Sequence, residues 1–175
     1  PPLHKLGNVT EALGDYPRSL KYVVQSIATA QEIGDLEQEA TALNTQGHLC
    51  YWLANYPEGL AAHNRAMTLA EEIQNPALVG AAAGGLGNIY QALEDYKQAI
   101  HYHQKDLAIA EDLGDREGQG QASGNLGLVG TAMGEYEQAI TYHPKDLTIA
   151  REIGDVSGEG RALCDLAIVY QQLKD

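Results

Sequence analysis

Three histidines recur at a constant interval and are the residues whose type could bind a metal ion. His63, His103 and His143 lie at successive 40-residue steps. Equivalent positions of stacked helical repeats are separated by at least one helix-packing distance of about 8–10 Å. Zinc ligands lie about 2 Å from their metal, so these residues cannot share one ion. The spacing predicts structural histidines, and no metal or other cofactor is expected.

Sequence patterns that carry catalysis are absent from the chain. It has no metalloprotease His-Glu-x-x-His pattern, no hydrolase nucleophile elbow and no phosphate-binding Walker loop. The segment Gly118-Gln119-Gly120 resembles the start of a dinucleotide loop, but Ser123 occupies the place of the third glycine. No strand precedes this segment, as that loop would require. An enzyme is therefore not expected.

A 40-residue internal repeat must position any functional residues. Residues 85–124 and 125–164 align without gaps and are identical at 19 of 40 positions. Apolar residues recur at helical spacing within each repeat, which predicts two helices per repeat and an all-α fold of about nine helices. The repeat boundaries fall at residues 1–35 (partial), 36–75, 76–115, 116–155 and 156–175 (partial). All of residues 1–175 are expected to form one array, a fragment of a longer protein.

Glycine, aspartate and proline mark the helix ends. Gly34, Gly114 and Gly154 are expected to adopt the left-handed conformation that closes a helix, and the aspartate after each is expected to cap the next helix. Asn75-Pro76 would start a helix by the same capping, with proline in the first turn.

Two features of the fourth repeat run against helix formation. Pro144 lies in the middle of a predicted helix, where it removes one hydrogen bond at a cost of about 3 kcal/mol. We therefore expect a kink or a local break near Tyr142–Pro144. The preceding helix is rich in glycine, which permits close helix approach and favours mobility.

Composition restricts the class of partner. The chain has 175 residues and a net charge of −13, with only 11 Lys and Arg residues. This charge disfavours nucleic acid and anionic membranes as partners, and no apolar run is long enough to cross a bilayer. A basic or polar protein or peptide fits better, although acidity also serves solubility alone. The two cysteines do not form a disulfide framework, which favours a cytoplasmic location.

The signature Leu86-Gly87-Asn88-Ile89-Tyr90, followed by Asp95-Tyr96 and Ala99-Ile100, resembles the tetratricopeptide repeat. The resemblance covers essentially the whole chain. The usual repeat of that family has 34 residues, and the 40-residue form resembles a subclass found in cell-polarity scaffolds and in bacterial and cyanobacterial arrays. The resemblance implies a right-handed α-solenoid whose first helix in each repeat lines a concave surface.

The resemblance also implies which residues face a ligand. Tyr51 and Trp52 are adjacent large aromatics and are the strongest candidates for binding anchors, with packing against a neighbouring helix as the alternative. Asparagine and glutamine amides can bind both polar groups of a peptide backbone. The predicted peptide-binding residues are Asn8, Asn44, His48, Tyr51, Trp52, Asn88, Gln91, Gln121, Thr131 and Arg161.

The function expected from these observations is non-enzymatic. A scaffold that binds an extended peptide or a helix in its concave groove is the leading hypothesis. The alternatives are a structural spacer that self-associates through the ends of the solenoid, and a regulatory or sensor arm of a larger signalling protein.

Overall fold

The computed structural model describes residues 16–174, and helices account for nearly all of them. Eight helices occur in this range, and the helix expected before residue 16 lies outside it. Their bounds are α1 Tyr16–Ile33, α2 Leu36–Trp52, α3 Tyr56–Glu72, α4 Pro76–Ala92, α5 Tyr96–Leu113, α6 Arg116–Met133, α7 Tyr136–Ile153 and α8 Val156–Gln172. The predicted all-α repeat fold is confirmed for the described part of the chain.

Short turns of two or three residues join the helices, and their conformations follow the sequence. Gly34, Gly114 and Gly154 have φ of 70°, 68° and 74°, the left-handed conformation expected of them. The caps are also confirmed: Asp35 accepts a hydrogen bond from the backbone N–H of Gln38 at 3.0 Å. Asp115 and Asp155 cap α6 and α8 in the same way. Asp95, which was not among the predicted caps, also caps α5.

The chain divides into two compact units, one ending at Ile89 and the other beginning at Tyr90. In the first unit α1 packs on α2 and α2 packs on α3. The core there includes Val23, Ala42 and Leu49, with Leu20 and Ile27 packed against it. In the second unit α5 packs on α6, α6 on α7 and α7 on α8. These helices thus bury their apolar faces against their neighbours in the sequence.

The structure corrects one expectation about the fourth repeat. The sequence predicted a kink or a local break near Pro144. Helix α7 runs without a break from Tyr136 to Ile153 with Pro144 inside it, so the local break is wrong, and the kink stays a prediction. The neighbouring packing residues Ala139, His143 and Ala150 are all buried, and this burial offsets the lost hydrogen bond.

Candidate functional site

The C-terminal end of α2 carries three of the predicted binding residues. His48, Tyr51 and Trp52 are three and four residues apart, so they lie on one face of the helix. Together with Asn88 of α4 they line a small cavity of about 80 Å³. His63 of α3 and Gly85 of α4 complete its walls. Three helices of the first unit therefore meet at this site.

Trp52 is the most accessible large side chain at the site. It is 60% exposed, although apolar rings of this size are usually covered. Its ring stacks on Tyr16 with 6.3 Å between centroids and an interplanar angle of 9°. Tyr51 meets it edge-on at 5.3 Å and also contacts Tyr56. These contacts hold the indole in place and leave much of its surface free for a partner.

His63 forms the buried wall of the cavity and is fully shielded from solvent. Its ring lies between Gly47 and Gly85, where an added Cβ would come within 2.4 and 2.3 Å of the ring atoms. Only glycine therefore leaves room for the ring on both sides. This confirms the expectation that His63 is a packing residue, and it explains why glycine stands at these positions.

The hydrogen bonds of Asn44 determine the tautomer of His63. The Asn44 side-chain amide donates to the carbonyl of Leu78 at 3.3 Å, which leaves its oxygen facing His63 Nδ1 at 3.1 Å. Nδ1 must then carry the proton. The Nε2 atom is an acceptor, and it has no hydrogen-bond partner in the described part of the chain.

Burial also keeps this imidazole neutral. Desolvation lowers the pKa of His63 to about 3, and the nearby His48 contributes a smaller decrease. The two rings meet edge to face with 5.1 Å between centroids. Within residues 16–174, no three His, Cys, Asp or Glu side chains are grouped so as to hold a metal ion. The Asn88 amide, the His48 imidazole and the two aromatic rings of Tyr51 and Trp52 are the chemical groups that the site offers.

The other predicted binding residues are placed differently. Asn44 is only 7% exposed and both ends of its amide have internal partners, so it does not line an open surface as expected. The Thr131 hydroxyl donates to the carbonyl of Gly127. The Gln121 amide donates to Glu117 at 3.2 Å, and Arg161 is exposed on α8. Gln91 is partly buried on α4, and Asn8 lies outside the described residues.

Sequence reasoning missed two features of the site. His63 was correctly predicted to be structural, but its place in the wall of the cavity was not predicted. The glycines at 47 and 127 stand 16 residues before His63 and His143 and mark the packing that places these rings. Tyr16 was not singled out, and no local pattern indicates that it supports Trp52. Such a contact depends on the packing of α1 against α2.

The second unit contains a larger cavity that the sequence did not indicate. It measures about 390 Å³ and lies among α5, α6 and α7. Leu107, Pro144 and Ile149 form part of its wall, together with the charged residues Arg116 and Lys145. Arg116 is already paired with Glu152 and with Gln119. None of the predicted binding residues lines this cavity.

The sequence pattern can be matched directly to a known family. The model of the tetratricopeptide repeat matches residues 38–112 and 78–143, which together make up more than half of the chain. The chain belongs to the tetratricopeptide repeat family. Its general class is therefore that of protein-interaction scaffolds. Within residues 16–174 no helix is long and apolar enough to cross a membrane.

Solved structures share the fold of this tetratricopeptide repeat protein at low sequence identity. BtubC (BKLC) from P. vanneervenii is 17% identical with a TM-score of 0.84, over 99% of this chain and 72% of that one. A Rap protein complexed with Competence and Sporulation Factor is 18% identical with a TM-score of 0.86, over 98% of this chain. The chain spans only 51% of that Rap protein.

A third structure has repeats of the same kind. The Podosopora anserina protein with nearly identical TPR-like repeats is 14% identical with a TM-score of 0.78, over 98% of this chain and 85% of that one. At these identities the likeness concerns the fold alone. A search of curated protein sequences finds no match.

Proposed function

We propose that this protein binds a peptide of a partner protein at the surface formed by His48, Tyr51, Trp52 and Asn88. The observation that carries the proposal is the exposed indole of Trp52 beside a small cavity that Asn88 also lines. Exposed aromatics held in place by their neighbours are typical anchors of protein interfaces. The class of protein supports this use, because peptide grooves are a common mode of recognition for helical repeats.

The cavity itself favours a particular kind of side chain. A volume of about 80 Å³ has room for only two or three water molecules or one short side chain, since a water occupies about 30 Å³. The Nε2 atom of His63 is itself buried, so the polar group that a ligand can reach is the Asn88 amide, which can both donate and accept. The ligand side chain that fits is short and carries a hydroxyl or amide donor. An apolar neighbour in the peptide would cover Trp52.

Charge further narrows the class of peptide. The net charge of −13 attracts basic segments and raises their rate of association at low ionic strength. We therefore expect lysine or arginine next to the anchor residues. The two cysteines are free thiols, in keeping with the cytoplasmic location that we include in the proposal.

The single tryptophan of the chain makes the proposal directly testable. Because Trp52 is the only indole, its emission reports the site without any label. Peptides selected from a displayed random library on the immobilised protein would be synthesised and titrated. We expect the emission of Trp52 to shift on binding, and Tyr51→Ala and Asn88→Ala each to weaken binding by about 10-fold or more.

A matched control separates binding at the site from nonspecific binding to exposed apolar side chains. Ile33→Ala removes an apolar side chain that is 70% exposed in the same unit and should leave the affinity unchanged. Calorimetry with Trp52→Ala, which removes the optical reporter, should show at least a 30-fold loss. Selected peptides that bind all variants equally, or that leave the Trp52 emission unchanged, would contradict the proposal.

A further inference from the structure

The cavity of the second unit lies where the first unit carries a larger side chain. It measures about 390 Å³, within the range of about 300–1,000 Å³ that is typical of small-ligand sites. Ser123 of α6 forms a deeply buried part of its wall. The equivalent residue two repeats earlier, on α2, is Leu43, which is buried in the first unit. Because serine is smaller than leucine, this position of the repeat leaves space in the second unit.

Three polar side chains connect the helices around this position in the first unit. The Gln31 amide of α1 donates to the Glu39 carboxylate of α2 at 3.0 Å. Arg65 Nε of α3 lies 3.7 Å from the same carboxylate oxygen. Glu39 is only 3% exposed, so a buried carboxylate is bound by an amide on one side and by a cation on the other. This arrangement bridges α1 and α3 across α2.

The second unit carries different groups at these three positions of the repeat. The equivalent residues of α5, α6 and α7 are Glu111, Gln119 and Lys145. Gln119 is neutral, and both ends of its amide are already engaged. Its nitrogen donates to the carbonyl of Ala110 at 3.1 Å, and its oxygen accepts from Arg116. The carboxylate that bridges the helices of the first unit therefore has no counterpart between Glu111 and Lys145.

Glu111 and Lys145 bring opposite charges to the same cavity. Glu111 lines it from α5 and Lys145 lines it from α7. Neither forms an ion pair within residues 16–174, and Lys145 Nζ lies 5.3 Å from the centroid of the Tyr142 ring. Leu107 and Ile149 add apolar surface to the wall. The cavity thus combines a carboxylate, an ammonium group and an apolar surface.

We propose that this cavity binds a free α-amino acid with an apolar side chain. The ammonium group of the ligand pairs with Glu111 and its carboxylate pairs with Lys145, so the ligand supplies a bridge like that of Glu39 in the first unit. The side chain of the ligand fills the space beside Ser123, where the first unit carries Leu43. Leucine is the side chain that the internal repeat indicates. Only a free amino acid carries both charged groups next to one side chain.

An NMR titration of the nitrogen-15-labelled full chain with L-leucine tests the proposal. We expect saturable shift changes at the residues around the cavity. Glycine lacks the side chain, N-acetyl-L-leucine lacks the ammonium group and L-leucinamide lacks the carboxylate. Each should bind about 10-fold more weakly than L-leucine. The last two also represent the ends of a peptide, so equally tight binding of either would contradict the proposal.

One substitution tests the cavity with a side chain taken from the repeat itself. Ser123→Leu introduces the residue found at Leu43 and should abolish L-leucine binding, because the new side chain fills the cavity. The first unit accommodates leucine at the equivalent position, so we expect the helicity measured by circular dichroism to be unchanged. A folded Ser123→Leu protein that binds L-leucine as well as wild type would overturn the proposal.

Two further substitutions assign the charged groups. Glu111→Gln should weaken L-leucine binding by about 10-fold without weakening that of N-acetyl-L-leucine, which has no ammonium group to lose a partner. Lys145→Met should weaken L-leucine binding to a similar extent without weakening that of L-leucinamide. Lys97→Met removes a charge from an exposed residue of α5 outside the cavity and should leave binding unchanged. No saturable binding of L-leucine, or an equal loss in Lys97→Met, would also overturn the proposal.

Discussion

At the scale of single residues, the two histidines at 63 and 143 depend on glycines in the facing helices. Both rings are fully buried, and a Cβ on Gly127 would lie 2.6 Å from the His143 ring. Real Cβ atoms do not approach that closely, so Gly127 and His143 together determine the distance at which α6 packs against α7. A glycine inside a helix lowers the stability of that helix by about 1 kcal/mol relative to alanine. The close packing that the glycine permits offsets this loss.

A double-mutant cycle measures this dependence. Gly127→Ala should destabilise the protein by about 2–3 kcal/mol, because the methyl group displaces a buried ring. In the His143→Ala background, the same change should be neutral or stabilising, since the ring is gone and alanine favours the helix. Urea unfolding of the four proteins gives the coupling energy. Equal effects of Gly127→Ala in both backgrounds would refute the steric account.

Asp106 gives a second prediction at the residue scale. Burial raises the pKa of its carboxyl to about 7, and Asp115 adds to the increase. An acid whose pKa is raised on folding costs stability. That cost is absent below its unfolded value of 3.8, grows as the pH rises, and is complete above about 7. Ionisation of Asp106 therefore lowers the free energy of unfolding of the protein as the pH rises.

Replacing the acid with its neutral isostere should remove this cost. We expect the stability of Asp106→Asn relative to wild type to increase by about 2 kcal/mol between pH 5 and pH 8. Because both proteins contain the same histidines, whose lowered pKa values act in the opposite direction, the difference isolates Asp106. Urea midpoints at the two pH values provide the measurement, and a difference independent of pH would contradict the assignment.

At the scale of helices, Pro144 tests how far packing overrides local preference. The residue cannot donate to the carbonyl one turn earlier, yet α7 continues through it. The equivalent residue of α5 is Gln104, which carries no such restriction. Pro144→Gln should therefore stabilise the second unit by about 2–3 kcal/mol. The reverse change, Gln104→Pro, should cost at least as much. Thermal unfolding followed by circular dichroism would detect both, and no gain from Pro144→Gln would show that proline is accommodated without strain.

The helices and their caps could be predicted because the signals are local. A glycine followed by an aspartate determines its own turn, as at Gly114 and Asp115. The exposure of a side chain on a helix depends instead on which neighbour covers it. Asn44 and Asn88 both lie on the first helix of their repeats. Asn44 is nevertheless buried and donates to the carbonyl of Leu78, whereas Asn88 borders a cavity. The proximity of Tyr16 to Trp52 likewise arises only from packing.

At the scale of the whole chain, stability in a repeat array comes mainly from contacts between neighbouring helices. The two compact units therefore need not unfold together when one of them is weakened. The only tryptophan, Trp52, lies in the first unit, whereas helices in both units contribute to the circular dichroism. Fluorescence and circular dichroism thus report different parts of the same molecule.

This difference allows the coupling between the units to be measured. In the Gly127→Ala protein, which weakens the second unit, we expect the loss of helicity to begin at lower urea than the change in Trp52 emission. In Gly47→Ala, which crowds His63 in the first unit, the emission should change first. The two variants are matched, because each places one methyl group against a buried histidine at equivalent positions of the repeat. Coincident transitions in both proteins would show that contacts between neighbouring helices are strong enough to make the chain unfold as one cooperative body, and the expectation of separate unfolding would then be wrong.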